Sequence, residues 1–293
     1  MTPSRSSEVL LFGASGPIGM ALLPRLVAAG HHVHAITRAA TPRVTEGVHW
    51  HRGTLPDAIA DVPTGVDAII SAGPLDLFAH WHAAHAPRTP RLLAFGSTSV
   101  HVKQASTDPA ERDVAARLTT AEARLAATAG ARGEALTLLR PTLIYGSGRE
   151  ANLGRLVALA RRFGGVPLPA DARGRRQPVH ADDLAQALLA AWPSAATHGR
   201  AYDLPGGETL AYDAMLARVL GVLQPPCRVW RVPSRVFDTA LALAHRLGRA
   251  RGFSVAMRAR LGEDLVFDAA PAMRDFGYAP RPFQPTAAMF PPE

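Results

Sequence analysis

The chain has 293 residues, 47% hydrophobic and 19% charged, a composition that supports a full globular core and excludes a disordered chain. One cysteine, Cys227, excludes an intramolecular disulfide and a cysteine-based metal centre. The formal charge of +8 comes from scattered arginines, with Lys103 the only lysine, and it reads as compositional bias rather than as a nucleic-acid stripe.

The clusters at 173–176 and 246–251 read as solvated surface, with anion binding as the other reading. No apolar run reaches the roughly 18 to 20 residues of a membrane span. The short run 9–12 behind Arg5 is broken by glycines too early for a secretory leader. A soluble, cytoplasmic protein is expected.

In the first half, short aliphatic or β-branched runs at 9–12, 33–37, 48–51, 68–71, 92–95 and 135–139 read as strands. Helical stretches fall between several of them. Residues 17–29 place Ile18, Leu22, Leu23, Leu26 and Val27 on one face and stop at Gly30. Val114, Leu118, Ala121, Leu125 and Thr128 recur at helical spacing behind the start signals Asp108 and Pro109. This alternation predicts an α/β fold: a Rossmann-type, doubly wound parallel sheet over residues 1–146. Residues 147–293, with helices at 182–191, 212–222 and 235–247 and an irregular tail after Pro280, read mostly as a smaller C-terminal substrate lobe that interleaves with the first.

Between the first strand and the first helix stands Gly13-Ala14-Ser15-Gly16-Pro17-Ile18-Gly19. Such a turn needs glycines for a tight reversal, for close approach of a pyrophosphate and for close packing of the helix on the sheet. The helix amides then face the anion. Gly13, Ser15, Gly16, Pro17, Ile18 and Gly19 are therefore the candidate phosphate cradle. After the second strand comes Arg38, with no Asp or Glu between Gly30 and Thr45. An arginine there suits the 2′-phosphate of NADP(H), which is expected to be preferred over NAD(H).

Several segments carry a resemblance in order and spacing: the Gly-x-x-Gly-x-x-Gly turn; residues 92–100, Leu-Leu-Ala-Phe-Gly-Ser-Thr-Ser-Val; residues 139–146, Leu-Arg-Pro-Thr-Leu-Ile-Tyr-Gly; residues 177–185, with Val179-His180-Ala181-Asp182-Asp183; and residues 202–207, Tyr-Asp-Leu-Pro-Gly-Gly. Together they resemble the extended short-chain dehydrogenase/reductase family, in an atypical, epimerase/dehydratase-like form. The resemblance reaches to about Gly221. It implies further cofactor contacts at Thr54 and Leu55, at Ala72 and Gly73, and at Pro141 beside the nicotinamide. It also implies oxidoreductase or epimerase-like chemistry on a small or nucleotide-linked substrate.

The chain departs from that family where chemistry is concentrated. The Tyr-x-x-x-Lys pair is absent; with Glu122 matched to the acidic residue that follows the motif, Val114 and Leu118 occupy the tyrosine and lysine positions. Thr54 replaces the usual Asp near the adenine. Tyr145 and Arg149 share the motif's spacing, but Gly146 and Gly148 argue against a helix there. Ser97 aligns with the serine that polarises the substrate carbonyl, and it reads equally as a turn residue. His101 and His180 are the candidate replacement acids or bases, each with a structural role as the alternative. His80, His82 and His85 are too loosely spaced for a metal site, and none is expected. The expected partners are a small-molecule substrate and, in a homodimer, a second copy of the chain; neither nucleic acid nor membrane is expected. A catalytically silent NADP(H)-binding redox sensor or structural protein is the alternative function.

Overall fold

The computed structural model describes residues 6–39, 45–148, 151–247 and 253–291. In its first half the chain runs β1 (Glu8–Phe12), α1 (Pro17–Ala28), β2 (His32–Thr37), β3 (Val48–Arg52), β4 (Ala68–Ser71), α2 (Leu75–His85), β5 (Arg91–Phe95), α3 (Ser99–Val102), α4 (Pro109–Arg132) and β6 (Ala135–Pro141). It continues with β7 (Ile144–Tyr145), α5 (Ala151–Phe163), β8 (Gly165–Pro169), β9 (Arg175–Arg176), β10 (Val179–His180), α6 (Ala181–Ala191), β11 (Arg200–Leu204), β12 (Leu210–Ala211), α7 (Tyr212–Gly221), β13 (Arg228–Val232), α8 (Ser234–Arg246), α9 (Val255–Arg260) and α10 (Ala270–Phe276). All six strands expected in the first half form.

Seven strands make one parallel sheet in the order β11-β6-β5-β4-β1-β2-β3. The order reverses at β1 and β4, which leaves a crevice at their carboxyl ends. Helices cover both faces, so the central strands are apolar throughout: Val9 to Leu11, Ala68 to Ile70 and Leu92 to Ala94 are all 0% exposed. α1 opens with Pro17, whose missing amide costs nothing there, and presents Ile18, Leu22 and Leu26 to Leu184, Ala185 and Leu188 of α6. Arg25 of α1 and Asp182 of α6 pair at 3.1 Å across the same junction. α4 is capped by the Asp108 carboxylate, which accepts the Ala110 amide at 2.9 Å, and it ends at Gly133 with φ +70°.

The stretch after residue 147 divides between two cores. α6, β11 and α10 lie with the sheet, where Leu184, Leu188, Tyr202, Leu204 and Ala272 join Val9 and Leu93. Main-chain pairing explains part of this, because β11 covers the outer edge of β6. The smaller lobe has its own core of Tyr145, Val157, Leu168, Met215, Val219 and Phe283.

Far from the crevice, His82 and Glu134 are fully buried with Nε2 and Oε2 at 2.7 Å, and Arg132 Nε lies 2.9 Å from the other carboxylate oxygen. His82 Nδ1 meets no hydrogen-bond partner among the described residues, so a second ring proton would be an orphaned donor. Burial accordingly lowers the imidazole below its ordinary value of 6.5, against the opposing pull of Glu134. The unfolded chain therefore takes up this proton at a higher pH than the folded one, and stability is lost as pH falls below about 6.5. Urea unfolding should show this loss between about pH 7 and 5, and His82→Gln, which keeps a donor for Glu134 but does not titrate, should flatten it. Identical slopes in the two proteins would contradict the assignment.

Candidate functional site

The turn from β1 into α1 is built on close backbone contacts. Gly13 has φ +77°, and a Cβ there would stand 2.5 Å from the carbonyl carbon of Ala72. At Gly19 a Cβ would fall 2.1 Å from the Gly13 carbonyl oxygen, so only glycine lets α1 sit this close. Gly16 differs: a Cβ would approach the Gly13 oxygen at 3.2 Å and nothing else within 3.8 Å, its other side being open. Gly73 is similarly open, with only the Gly13 nitrogen near at 3.9 Å.

Above this open side points the N-terminus of α1, which has no side-chain cap and no acidic residue in its first turn. Uncapped amides and a positive dipole end attract an anion. The residues present thus fit the pyrophosphate of a dinucleotide: Gly13 and Gly16 as the floor, Ser15 exposed at the rim, Pro17 and Ile18 opening the helix, and Ala72 and Gly73 as the facing wall.

At the ends of the next strands, Arg38 follows β2 and Arg52 closes β3, where it is the register neighbour of Thr37. Both arginines are exposed, and neither side chain bonds another described residue. Thr54 is exposed, while Leu55 packs on the core formed by Phe12, Ile36 and Leu75. Arg52 was not among the expected residues; its pairing beside Thr37 becomes visible only with the strand register.

On the other side of the crevice β5 ends at Phe95 and runs into Ser97. The Ser97 hydroxyl accepts the Ser99 amide at 3.1 Å, which leaves its own proton to donate. Thr98 is anchored to Pro141 by its amide at 3.2 Å, so the β5 and β6 ends are tied together. His101, on α3, places Nε2 3.1 Å from Asp203 Oδ1, and its side chain is 42% exposed. Asp203 stands in register with Arg140 on the neighbouring strand, their charged groups 3.9 Å apart. Arg140 is held by Glu122 through bonds of 2.8 and 2.5 Å, which raise its guanidinium above the usual range. Four side chains from α3, α4, β6 and β11 thus form one chain of alternating charge when His101 is protonated. Asp203 lies within the Tyr-Asp-Leu-Pro-Gly-Gly segment at 202–207, but its partner cannot be read without the parallel register.

Val114 and Leu118 stand two turns and one turn before Glu122 on α4, half-buried and without ionisable groups. The other named candidates are committed elsewhere. His180 is the N-cap of α6: its Nδ1 accepts the Asp182 amide at 3.0 Å, and its buried ring meets Tyr145 edge-on at 5.0 Å. This histidine, one of the expected candidate acids or bases, thus caps α6 through Nδ1. Asp183 accepts the Arg281 amide at 3.0 Å and its guanidinium at 2.7 Å, which ties the tail to α6. Tyr145 is fully buried and accepts the Gln284 amide at 3.3 Å; burial raises its hydroxyl, and Arg149 lies outside the described residues. His82 pairs with Glu134, and among the described residues no group of three or more His, Cys, Asp or Glu could hold a metal.

No protein-family profile matches the chain. It is 30% identical to a 2-alkyl-3-oxoalkanoate reductase of Stenotrophomonas maltophilia, over 94% of this chain and 95% of that one. Its fold is similar to that of the epimerase Mth375 from Methanothermobacter thermautotrophicus, with a TM-score of 0.71, 14% identity and coverage of 97% and 91%. The Bordetella bronchiseptica enzyme WbmH, solved with NAD+, has a TM-score of 0.65 at 16% identity, covering 98% of this chain and 96% of its own.

The contrast between two glycines tests the cradle. Gly16→Val should remain folded by circular dichroism and lose dinucleotide binding by calorimetry, whereas Gly19→Val should destabilise the fold outright. A Gly16→Val protein that binds NADPH with unchanged affinity would move the cofactor seat elsewhere.

Proposed function

Because the chain belongs to the extended short-chain dehydrogenase/reductase family, we propose that it is an NADP(H)-dependent reductase that converts the ketone of a 3-oxoacid bearing alkyl chains to the secondary alcohol. The observation that carries the reading is the His101–Asp203 pair beside Ser97, at the carboxyl ends of β5 and β11. When bound, the nicotinamide supplies or removes a hydride. The chain's own residues handle the oxygen and its proton.

Negative charge developing on a carbonyl oxygen needs a donor. Ser97 polarises the carbonyl with its free hydroxyl proton. Asp203 accepts from His101 Nε2, which fixes the ring and leaves Nδ1 as the atom that faces away from the carboxylate. The imidazolium delivers its Nδ1 proton to the oxygen in the reductive direction; neutral Nδ1 takes it back in the oxidative direction. Solvent reprotonates the ring, which is exposed enough for exchange. Arg140, clamped by Glu122, lies 3.9 Å from the same Asp203 oxygen that His101 bonds and adds its charge there.

The full-length likeness to a 2-alkyl-3-oxoalkanoate reductase supports the substrate class. Val114 and Leu118 favour one other reading, a silent NADP(H)-binding protein.

Two measurements separate these. A Ser97→Ala/His101→Ala protein should still bind NADPH and lose at least about tenfold in turnover of a 3-oxoacid, and Asp203→Asn should alter the pH profile of kcat while leaving NADPH affinity intact. Unchanged turnover removes this mechanism, and no turnover with any 3-oxoacid or simple ketone supports the silent binder. For cofactor choice, Arg38 and Arg52 are the proposed 2′-phosphate contacts. NADPH should bind roughly ten- to a hundredfold more tightly than NADH, the effect of a charged hydrogen bond. Arg38→Ala/Arg52→Ala should abolish the difference, and equal dissociation constants in the wild type would contradict it.

A further inference from the structure

Between residues 228 and 260 the chain carries eight arginines against one carboxylate, Asp238. α8 lies inside this stretch, and none of its residues is buried. Helical spacing divides it into faces. The inner face holds Phe237, Leu241, Ala244 and His245, all half-buried; the Phe237 and Phe253 rings are 6.2 Å apart, and His245 Nε2 reaches the Phe253 carbonyl at 2.8 Å. Asp238 points away from the outer face and is bound by Arg258 at 2.7 Å.

The outer face has no such partners. Val236, Ala240, Leu243 and Leu247 recur at i, i+4, i+7 and i+11, and Val236, Leu243 and Leu247 are 56%, 57% and 62% exposed. Arg235 and Arg246 flank this stripe, exposed and without an ion pair to any described residue. A continuous apolar stripe of this kind on a monomer marks an interaction surface.

We infer that α8 docks the protein flat on an anionic lipid surface, with Val236, Leu243 and Leu247 in the acyl boundary and Arg235 and Arg246 on headgroup phosphates. A helix of low mean hydropathy with one aliphatic face and arginines beside it is the form that lies in a bilayer interface rather than across it. The expectation that no membrane is involved rested on the length of apolar runs, which concerns spanning alone. Charge selects lipid over a second copy of the chain: two α8 helices packed antiparallel, stripe to stripe, bring Arg235 of one copy near Arg246 of the other, with no carboxylate on that face to meet them. Nucleic acid would gain the arginines but nothing from an aliphatic stripe.

Co-sedimentation of the full-length protein with phosphatidylcholine vesicles, with and without phosphatidylglycerol, tests this. Partition onto the anionic vesicles should be about tenfold stronger or more and should weaken with added salt. Val236→Asp/Leu243→Asp, at exposed positions that leave the fold intact by circular dichroism, should lose about tenfold or more of this binding. Arg235→Glu/Arg246→Glu should lose the preference for anionic lipid. Equal or absent partition onto the two vesicle types overturns the inference. So does a wild-type dimer in light scattering that Val236→Asp/Leu243→Asp converts to monomer, because the stripe then belongs to a second copy.

Discussion

The approach of Gly19 to the carbonyl of Gly13 sets the distance at which α1 meets the sheet. A single methyl group at Gly19 would need the space of that oxygen, so the contact exists only because Gly19 has no side chain, while the bare Gly13 lets the turn lie against Ala72 and Gly73. From it follow the direction of α1, the burial of Leu22 and Leu26 against α6, and the uncapped helix start above the crevice. One backbone contact thus serves both packing and anion binding. The same geometry leaves Gly16 open, which separates the glycine that supports the fold from the one that leaves room for a ligand.

Much of this was legible in the residues themselves. β1, β4 and β5 are buried on both faces, so their apolar runs are uninterrupted and their ends easy to place. Asp108, Pro109 and Gly133 bracket α4 with signals that act locally. α2 was harder, because His80, His82 and His85 interrupt its apolar pattern. Only the fold shows that His82 faces inward to Glu134, a residue 52 positions away. The interleaving of the two cores was equally a matter of tertiary contact, since nothing local in α6 states that its partner is α1.

The candidate site divides in the same way. The glycine turn is a local motif, and its residues could be named from spacing. The His101–Asp203–Arg140–Glu122 chain depends on β6 and β11 running parallel in a register that sets Arg140 beside Asp203. Four residues spread over the chain become neighbours there, and no periodicity announces it. His180 shows the converse: a histidine in a family-like segment whose ring is used to cap a helix. With Val114 and Leu118 aliphatic, α4 contributes Glu122 to this chain, while the His101–Asp203 pair comes from α3 and β11.

The central claim is that a dinucleotide lies across the carboxyl ends of β1, β2, β4 and β5, with its reactive end toward Ser97 and His101. Hydrogen–deuterium exchange of the full-length protein with and without NADPH tests it most directly, because it reads the backbone amides that would hold the cofactor. New protection is expected at residues 13–20, 37–39, 53–55, 72–74 and 96–101, with α8 and α9 unchanged. Protection confined to the smaller lobe, or none on adding NADPH or NADH, would contradict it.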